Sequence, residues 1–310
     1  MEKVAELYFA VLEEMRKFVI GYDDIIEKII IALVSKGHVL LEGVPGIGKT
    51  FLVNTLSKVL GCEFKRIQFT PDLLPADIIG TTVYDMKESR FYLRKGPIFT
   101  NILLADEINR APPKTQSALL ECMQEKQVTI EGVTHRLEEP FMVLATQNPI
   151  EMEGTYPLPE AQVDRFMFKI ILSYVTAKDE IRMLKTKLSG ETPDVHRILS
   201  RDIILQLQKL AKRVYISEDL MKYIIDIVNA TRNREGVLLG ASPRASIAFL
   251  DASRTRALLN GRDFVIPDDI KFLAYDILRH RILLKPEYEL EGVKTEDIIT
   301  DILREVPVPK

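Results

Sequence analysis

The sequence predicts an α/β protein built on a parallel sheet and followed by an all-helical domain. Short apolar runs alternate with amphipathic helical patterns, a glycine-rich loop joins the first run to its helix, and the composition changes after about residue 174. We expect five buried strands, near 38–42, 63–69, 101–105, 141–146 and 167–172. We therefore place an α/β domain at 1–175 and a helical domain at 176–310.

Helical periodicity and turn residues define the other elements. Apolar residues at helical spacing predict helices at 1–18, about 23–35, 51–60 and 112–124. Two stretches, 81–99 and 126–137, have strand-like halves separated by polar turn residues, and this pattern predicts β-hairpins inserted in the α/β domain. Helical patterns then fill 178–188, 199–214, 217–231, 242–260 and 268–281, and no further buried strand is expected after Tyr174.

The glycine-rich loop has the pattern G-x-x-x-x-G-K-T over Gly43–Thr50. Its glycines allow backbone N–H groups to turn toward a polyphosphate, and the next helix directs its positive end to the same place. Lys49 would contact the outer phosphates, and Thr50 would bind Mg²⁺. The alternative is a glycine turn with an incidental lysine. The expected phosphate-binding residues are Gly43, Pro45, Gly46, Ile47, Gly48, Lys49, Thr50 and Phe51.

A pair of acids, Asp106-Glu107, follows the third predicted strand. The carboxyl ends of parallel strands line the ligand crevice of such sheets. Asp106 could therefore hold the Mg²⁺ that Thr50 binds, and Glu107 could orient and deprotonate a water for attack on the γ-phosphate. Two acids after an apolar run are common, so they become informative only beside the phosphate loop.

The composition is that of a soluble globular protein, with 46% hydrophobic and 28% charged residues. No apolar run approaches the roughly 18 residues of a membrane span, and the N-terminus lacks a secretory signal. Cys62 and Cys122 form no metal-binding pair, so we expect reduced thiols and a cytoplasmic protein without a membrane partner. The net charge of −3 gives no global attraction to nucleic acid.

The order of these motifs resembles that of AAA+ ATPases, and more narrowly the MoxR family. The resemblance runs through Gly43–Thr50, Leu103–Glu107, Ala145–Asn148, Asp164–Phe166 and Gly240–Arg244. Three longer stretches, 37–50, 105–116 and 147–162, match the family closely. Tyr22 departs from the glutamine that the family often has there, which bears only on the adenine end of the site.

The resemblance assigns further residues. Asn148, whose neutral amide could bind the attacking water, matches the sensor 1 position; its alternative role is to cap a turn. Arg165 matches an arginine finger that reaches the neighbouring subunit's nucleotide, and a local pair with Asp164 or Glu160 is the alternative. Arg244, in the first turn of a helix, matches sensor 2, which reaches the γ-phosphate from the lid, and a surface arginine is the alternative. Ile20 and Gly21 match the stretch that packs on adenine, and a helix-breaking turn with no ligand role is the alternative.

The remaining features leave alternatives open. Arg110 could contact a nucleotide in trans or form a structural salt bridge. The hairpin 81–99 carries Lys87, Arg90, Arg94 and Lys95, so it is either a solvated hairpin or a loop that grips a client at the pore of a ring.

The resemblance implies an ATP- and Mg²⁺-dependent machine, a hexameric ring that remodels or activates protein clients, often with von Willebrand factor A domain partners. A nucleic-acid motor and a nucleotide-dependent scaffold with little turnover are the competing hypotheses.

Overall fold

The first part of the chain alternates strands and helices and contains the five strands and two hairpins that the sequence predicts. The structure, a computed structural model, describes residues 1–44, 46–148, 154–189 and 194–309. The elements of this part, in chain order, are α1 (Glu2–Arg16), α2 (Asp23–Val34), β1 (Val39–Gly43), α3 (Lys49–Val59), β2 (Phe64–Gln68), α4 (Pro75–Ile79), β3 (Gly80–Asp85), β4 (Arg90–Lys95), β5 (Ile102–Asp106), α5 (Pro113–Glu125), β6 (Gln127–Ile130), β7 (Val133–Arg136), β8 (Met142–Gln147), α6 (Glu160–Val163) and β9 (Phe168–Leu172). A 3₁₀ turn, Ile108–Arg110, follows β5.

In the described part of the chain, five parallel strands form the central sheet in the order β2-β5-β8-β1-β9. The predicted five-stranded parallel sheet is confirmed. β5 is buried at every position, and β8 is buried except at its last residue, because helices cover both faces of the sheet. The carboxyl ends of β5, β8 and β1 therefore lie side by side at one end of the sheet.

Two antiparallel hairpins are inserted where the sequence predicts them. β3 pairs with β4, and β6 pairs with β7. The second hairpin turns at Glu131 and Gly132, which both have positive φ angles, the geometry of a tight two-residue hairpin turn. The first hairpin exposes aromatic side chains, with Phe91 70% exposed and its ring tilted by 59° against that of Tyr84 at a centroid distance of 5.0 Å.

The remainder of the chain is mainly helical. Its elements are α7 (Ala177–Ser189), α8 (Arg201–Ala211), α9 (Glu218–Arg232), β10 (Val237–Leu239), α10 (Pro243–Leu259), α11 (Pro267–Leu278), β11 (Leu283–Leu284), α12 (Pro286–Leu290) and α13 (Thr295–Glu305). No further buried strand is predicted after Tyr174, and the short antiparallel pair that β10 and β11 form was not predicted; only one residue of each strand is buried. These strands have three and two residues, too few to show a hydrophobic period.

The helical part is docked on the α/β part by buried and partly buried polar contacts. Gln208 Nε2 donates to Leu33 O at 2.9 Å, and Lys28 forms a 2.6 Å ion pair with the buried Asp276. Ser35 Oγ lies 2.8 Å from Thr255 Oγ1. α1 and α2 pack against α10, so the two N-terminal helices share a core with the helical part.

Neither a membrane helix nor a disulfide is found among the residues that the structure describes. Each of their helices is too short or too polar to cross a bilayer. Cys62 and Cys122 are free and buried, and burial raises the pKa of each thiol to about 12. Both thiols are therefore protonated and unreactive at neutral pH.

Candidate nucleotide site

The phosphate loop joins β1 to α3 at the carboxyl end of the sheet. β1 ends at Gly43, and α3 begins at Lys49. Gly46 and Gly48 have φ angles of 86° and 83°, and a Cβ added to either would meet no described atom within 4 Å. The glycines thus supply left-handed backbone and an open surface, as a loop around a polyphosphate requires. Pro45 lies outside the described residues.

Lys49 extends back across the loop. Its Nζ donates to the carbonyl oxygen of Gly43 at 2.7 Å. Burial lowers the pKa of Lys49, whereas the negative charges of Asp106, Glu107 and Glu42 act in the opposite direction. The two acids after β5 are therefore close enough to the lysine to influence its charge. Thr50 is partly exposed, and Phe51 is 55% exposed.

Asp106 and Glu107 stand at the end of β5, held by the neighbouring strand β8. Thr146 Oγ1 donates to Asp106 Oδ1 at 2.6 Å and accepts the backbone N–H of Glu107 at 2.8 Å. Glu107 has a φ of 56°, a left-handed conformation that is uncommon outside glycine. This backbone turn ends the strand, and the 3₁₀ turn Ile108–Arg110 follows it.

Two polar side chains of β2 reach the same acids. Arg66 donates to Asp106 Oδ2 from Nη2 at 2.7 Å and from Nε at 3.1 Å. Gln68 Nε2 donates to Glu107 Oε2 at 2.7 Å. Arg110 forms a 3.1 Å salt bridge with the same Glu107 oxygen, the structural alternative considered for that residue.

The sequence analysis did not single out Arg66, Gln68 or Thr146. Arg66 and Asp106 are 40 residues apart, and so are Thr146 and Asp106, so no local spacing connects either pair. The only sequence signal was the presence of polar residues inside two predicted strands.

Asn148 directly follows β8, between the acids of β5 and the phosphate loop of β1. It is 7% exposed. The order of the strands thus brings the loop, the acids and this amide to one edge of the sheet. The hydroxyl of Thr50 and the carboxylate of Asp106 are the oxygen donors that Mg²⁺ prefers, so these residues fit such an ion.

A cavity of about 540 Å³ lies beside this edge and is lined in part by the predicted adenine-contacting residues. Ile20 is buried, Gly21 has a φ of 85°, and the Tyr22 hydroxyl donates to Ser173 O at 3.1 Å. None of the described residues of the phosphate loop lines this cavity. The cavity is nevertheless adjacent to the loop, because Ile171 of β9 lines it and β9 pairs with β1, the strand that leads into the loop.

Arg165 and Arg244 lie at the opposite end of the sheet. Both line a cavity of about 410 Å³ beside Gly37 and His38, which precede β1. Strands rise ~3.3 Å per residue, so the six steps from Gly37 to Gly43 correspond to about 20 Å. Arg165 Nη1 donates to Leu120 O at 3.2 Å, and Arg244 forms a 3.5 Å salt bridge with Asp164.

The expectation that Arg244 reaches a γ-phosphate from the lid stays a prediction, and within one chain Arg244 lies at the opposite end of the sheet from the phosphate loop. The helical part is docked near the amino ends of the strands, and α10, which begins at Pro243, lies there with it. The half-exposed Arg244 side chain faces outward beside Arg165.

Comparisons with known proteins agree with the fold. Residues 38–168 match the model of the "ATPase family associated with various cellular activities (AAA)", and residues 229–302 match an AAA lid domain. These matches define an α/β ATPase domain of the AAA+ class with a C-terminal helical lid.

Relatives that match over nearly the whole chain identify the family within the AAA+ class. The uncharacterized protein YeaC of Bacillus subtilis (strain 168) is 48% identical, covering 96% of this chain and 93% of its own. Chaperone MoxR1 of Mycobacterium tuberculosis (strain H37Rv) is 46% identical, covering 96% and 81%. A crystal structure of a candidate ATPase from Cytophaga hutchinsonii superimposes with a TM-score of 0.93 at 48% identity, covering 99% and 96%. The chain belongs to the MoxR family of AAA+ ATPases.

Proposed function

We propose that this protein hydrolyses ATP at sites shared between adjacent subunits of a ring. The observation that carries the proposal is the separation of the two halves of the site. The phosphate loop, Asp106, Glu107 and Asn148 lie at the carboxyl ends of the strands, whereas Arg165 and Arg244 face outward at the amino ends, about 20 Å away. One chain presents each half on a different surface, so a second copy can complete the site.

Each residue then has a defined task. The loop N–H groups and Lys49 bind the phosphates, and Ile20 and Gly21 contact the adenine. Mg²⁺, held by Thr50 and Asp106, would neutralise phosphate charge. Glu107 takes a proton from the attacking water, and Asn148 orients that water. Arg165 and Arg244 of the neighbour offset the negative charge that develops on the transferred phosphoryl group.

The substitution Glu107→Gln tests the hydrolytic part of this proposal. It removes the proton acceptor but keeps the shape, so we expect ATP binding within about twofold of the parent and a loss of about 100-fold or more in turnover. Glu63→Gln is the matched control. Glu63 directly precedes β2, at the end of the β2–β5 pair that lies away from Glu107, and its side chain is 59% exposed. Undiminished hydrolysis by Glu107→Gln would remove Glu107 as the base.

We further propose that the ring is a cytoplasmic hexamer that remodels or activates a protein client, with a von Willebrand factor A domain protein as a candidate partner. The support is the relationship to a protein named as a chaperone. ATP-loaded Glu107→Gln should retain the client, and Lys49→Ala, which cannot bind the phosphates, should not. Equal retention by both variants would contradict a nucleotide-gated client.

A nucleic-acid motor is the second candidate, and the hairpin β3–β4 is the observation that favours it. Arg90, Arg94 and Lys95 are exposed beside Phe91 and Tyr92, and cations with aromatic rings bind single strands. Stimulation of the ATPase by DNA with a steep salt dependence would support this candidate. No stimulation at low salt would reject it.

A further inference from the structure

A buried arginine, Arg281, connects the helical part to the segment that carries Arg165. Its side chain is 3% exposed, and its guanidinium donates to Asp164 Oδ1 at 2.7 Å, Asp164 O at 3.0 Å and Phe166 O at 2.7 Å. Burial lowers the pKa of Arg281 to about 10, with the Asp164 carboxylate acting in the opposite direction. The guanidinium therefore stays charged at neutral pH.

Asp164 makes a second contact with the helical part, through the first turn of α10. Ser242 Oγ donates to both Asp164 carboxylate oxygens, at 2.9 and 3.1 Å. The same hydroxyl accepts the backbone N–H of Arg244, which caps the first turn of α10. Arg244 Nη1 itself lies 3.5 Å from Asp164 Oδ2.

The Asp164 carboxylate thus fixes the backbone next to both outward-facing arginines, Arg165 and Arg244. Arg165 follows Asp164 directly in sequence, and Arg244 follows Ser242 by two residues. Arg281 fixes Asp164 and the carbonyl of Phe166 from behind, on the side away from the surface. A planar guanidinium with fixed donors can hold three oxygens in one geometry, which a lysine ammonium on a flexible stem cannot.

We propose that Arg281 is a positioning residue which, through Asp164, presents Arg165 and Arg244 as one rigid pair to the neighbouring subunit's nucleotide. This inference rests on the proposed shared site and goes beyond it, because it makes the pair act as a unit and gives the helical part a direct role in hydrolysis by the next subunit. Arg281 touches neither nucleotide nor reacting water in this arrangement.

A substitution of Arg279 can distinguish a positioning role of Arg281 from a general contribution to the contact between the helical and α/β parts. It lies two residues earlier, joins the helical part to β9 through Lys169 O at 3.2 Å, and pairs with Asp276 at 3.1 Å. It has no described contact with Asp164, Arg165 or Phe166. Arg279→Lys therefore weakens the same domain contact without loosening the arginine pair, which makes it the matched control.

The experiment compares full-length Arg281→Lys and Arg279→Lys, alone and mixed in equal amounts with Glu107→Gln subunits. Alone, Arg281→Lys should lose about 10- to 100-fold in kcat, because a small misplacement of a catalytic group has that effect. Its ATP affinity should stay within about twofold, because its phosphate loop lies at the other end of the sheet. Mixing should restore hydrolysis, since Glu107→Gln subunits supply intact arginine pairs. Arg279→Lys should retain kcat.

Three results would overturn the inference: unchanged kcat in Arg281→Lys, an equal loss in Arg279→Lys, or no recovery on mixing. If Arg281→Lys does not fold, Asp164→Asn replaces it, and the same outcomes apply because this change removes the shared carboxylate charge at constant shape. Arg165→Ala mixed with Glu107→Gln is run in parallel. If that mixture is also inactive, the shared site itself fails; if it is active, only the positioning role fails.

Discussion

At the acidic end of β5, the carboxylate that we propose as a metal ligand is already bound to a guanidinium. Arg66 contacts Asp106 Oδ2 through two nitrogens, and its side chain is 46% exposed. A cation at Asp106 must share or displace this contact. Arg66 is therefore expected to weaken Mg²⁺ binding at the site.

Replacing Arg66 with Gln should lower the Mg²⁺ concentration that gives half-maximal nucleotide binding. A half-exposed ion pair contributes up to ~1 kcal/mol, which corresponds to a shift of about fivefold. The measurement is a calorimetric titration of ATP at graded Mg²⁺ concentrations, with Arg66→Lys as the control that keeps the charge. A Mg²⁺ midpoint equal in parent and Arg66→Gln would contradict competition at Asp106.

His38 joins three elements at the amino end of the sheet. It precedes β1, its Nε2 lies 3.0 Å from Met123 O of α5, and its Nδ1 accepts the backbone N–H of Val143 in β8 at 2.9 Å. The acceptor role of Nδ1 requires the neutral ring with its proton on Nε2. Burial lowers the pKa of His38 from 6.5 to about 4.

This shift predicts acid sensitivity between about pH 6.5 and 4. In that window the unfolded chain binds the His38 proton and the folded chain does not, so the free energy of unfolding falls as the pH falls, by up to about 3 kcal/mol. Urea unfolding from pH 7 to 4.5 should show this loss, and His38→Gln should reduce its slope. Parallel pH profiles for the parent and His38→Gln would contradict the assignment.

At the scale of elements, the base of the hairpin β3–β4 depends on two glycines that face each other. A Cβ on Gly96 would lie 2.2 Å from Ile78 O and 2.6 Å from the backbone N of Gly80. A Cβ on Gly80 would lie 2.3 Å from Arg94 O. Backbone atoms cannot yield to such contacts as flexible side chains do, so the hairpin requires glycine at both positions.

Gly96→Ala should therefore release the hairpin 81–95 from its docked position. We expect faster tryptic cleavage at Lys87, Arg90 and Arg94 and a lower melting temperature. Gly132→Ala is the control, because its Cβ would meet no described atom within 4 Å and it carries only the cost of a positive φ, about 1 kcal/mol. Equal cleavage of the two variants at the first hairpin would show that the close approach is not required.

Elements were predictable from sequence where their hydrophobic pattern is strong. The five sheet strands lie within two residues of their predicted bounds, because continuous apolar runs between turn residues mark buried strands. α4 and α12, with five residues each, are too short for a helical period to be visible. α13 has eleven residues with a buried apolar face, and the sequence analysis still missed it.

At the scale of the whole molecule, the docking of the helical part decides which surface carries Arg244. Local sequence does not encode this docking, since it rests on pairs such as Arg281–Asp164, 117 residues apart, and Gln208–Leu33, 175 residues apart. The sequence therefore predicts Arg244 as a site residue but does not show that it lies far from the phosphate loop of its own chain. The domain boundary near residue 175 stays a prediction, because α1 and α2 pack on the helical part as well.

The most direct test of the shared site mixes Arg165→Ala with Glu107→Gln, two variants that we expect to be inactive alone. In a random equal mixture, about one site in four combines an intact Glu107 with an intact neighbouring arginine, so about a quarter of the parent ATPase rate should return. Mixing Arg165→Ala with the double variant Glu107→Gln/Arg165→Ala should return none. An inactive first mixture, despite subunit exchange, would contradict a site completed by the neighbouring subunit.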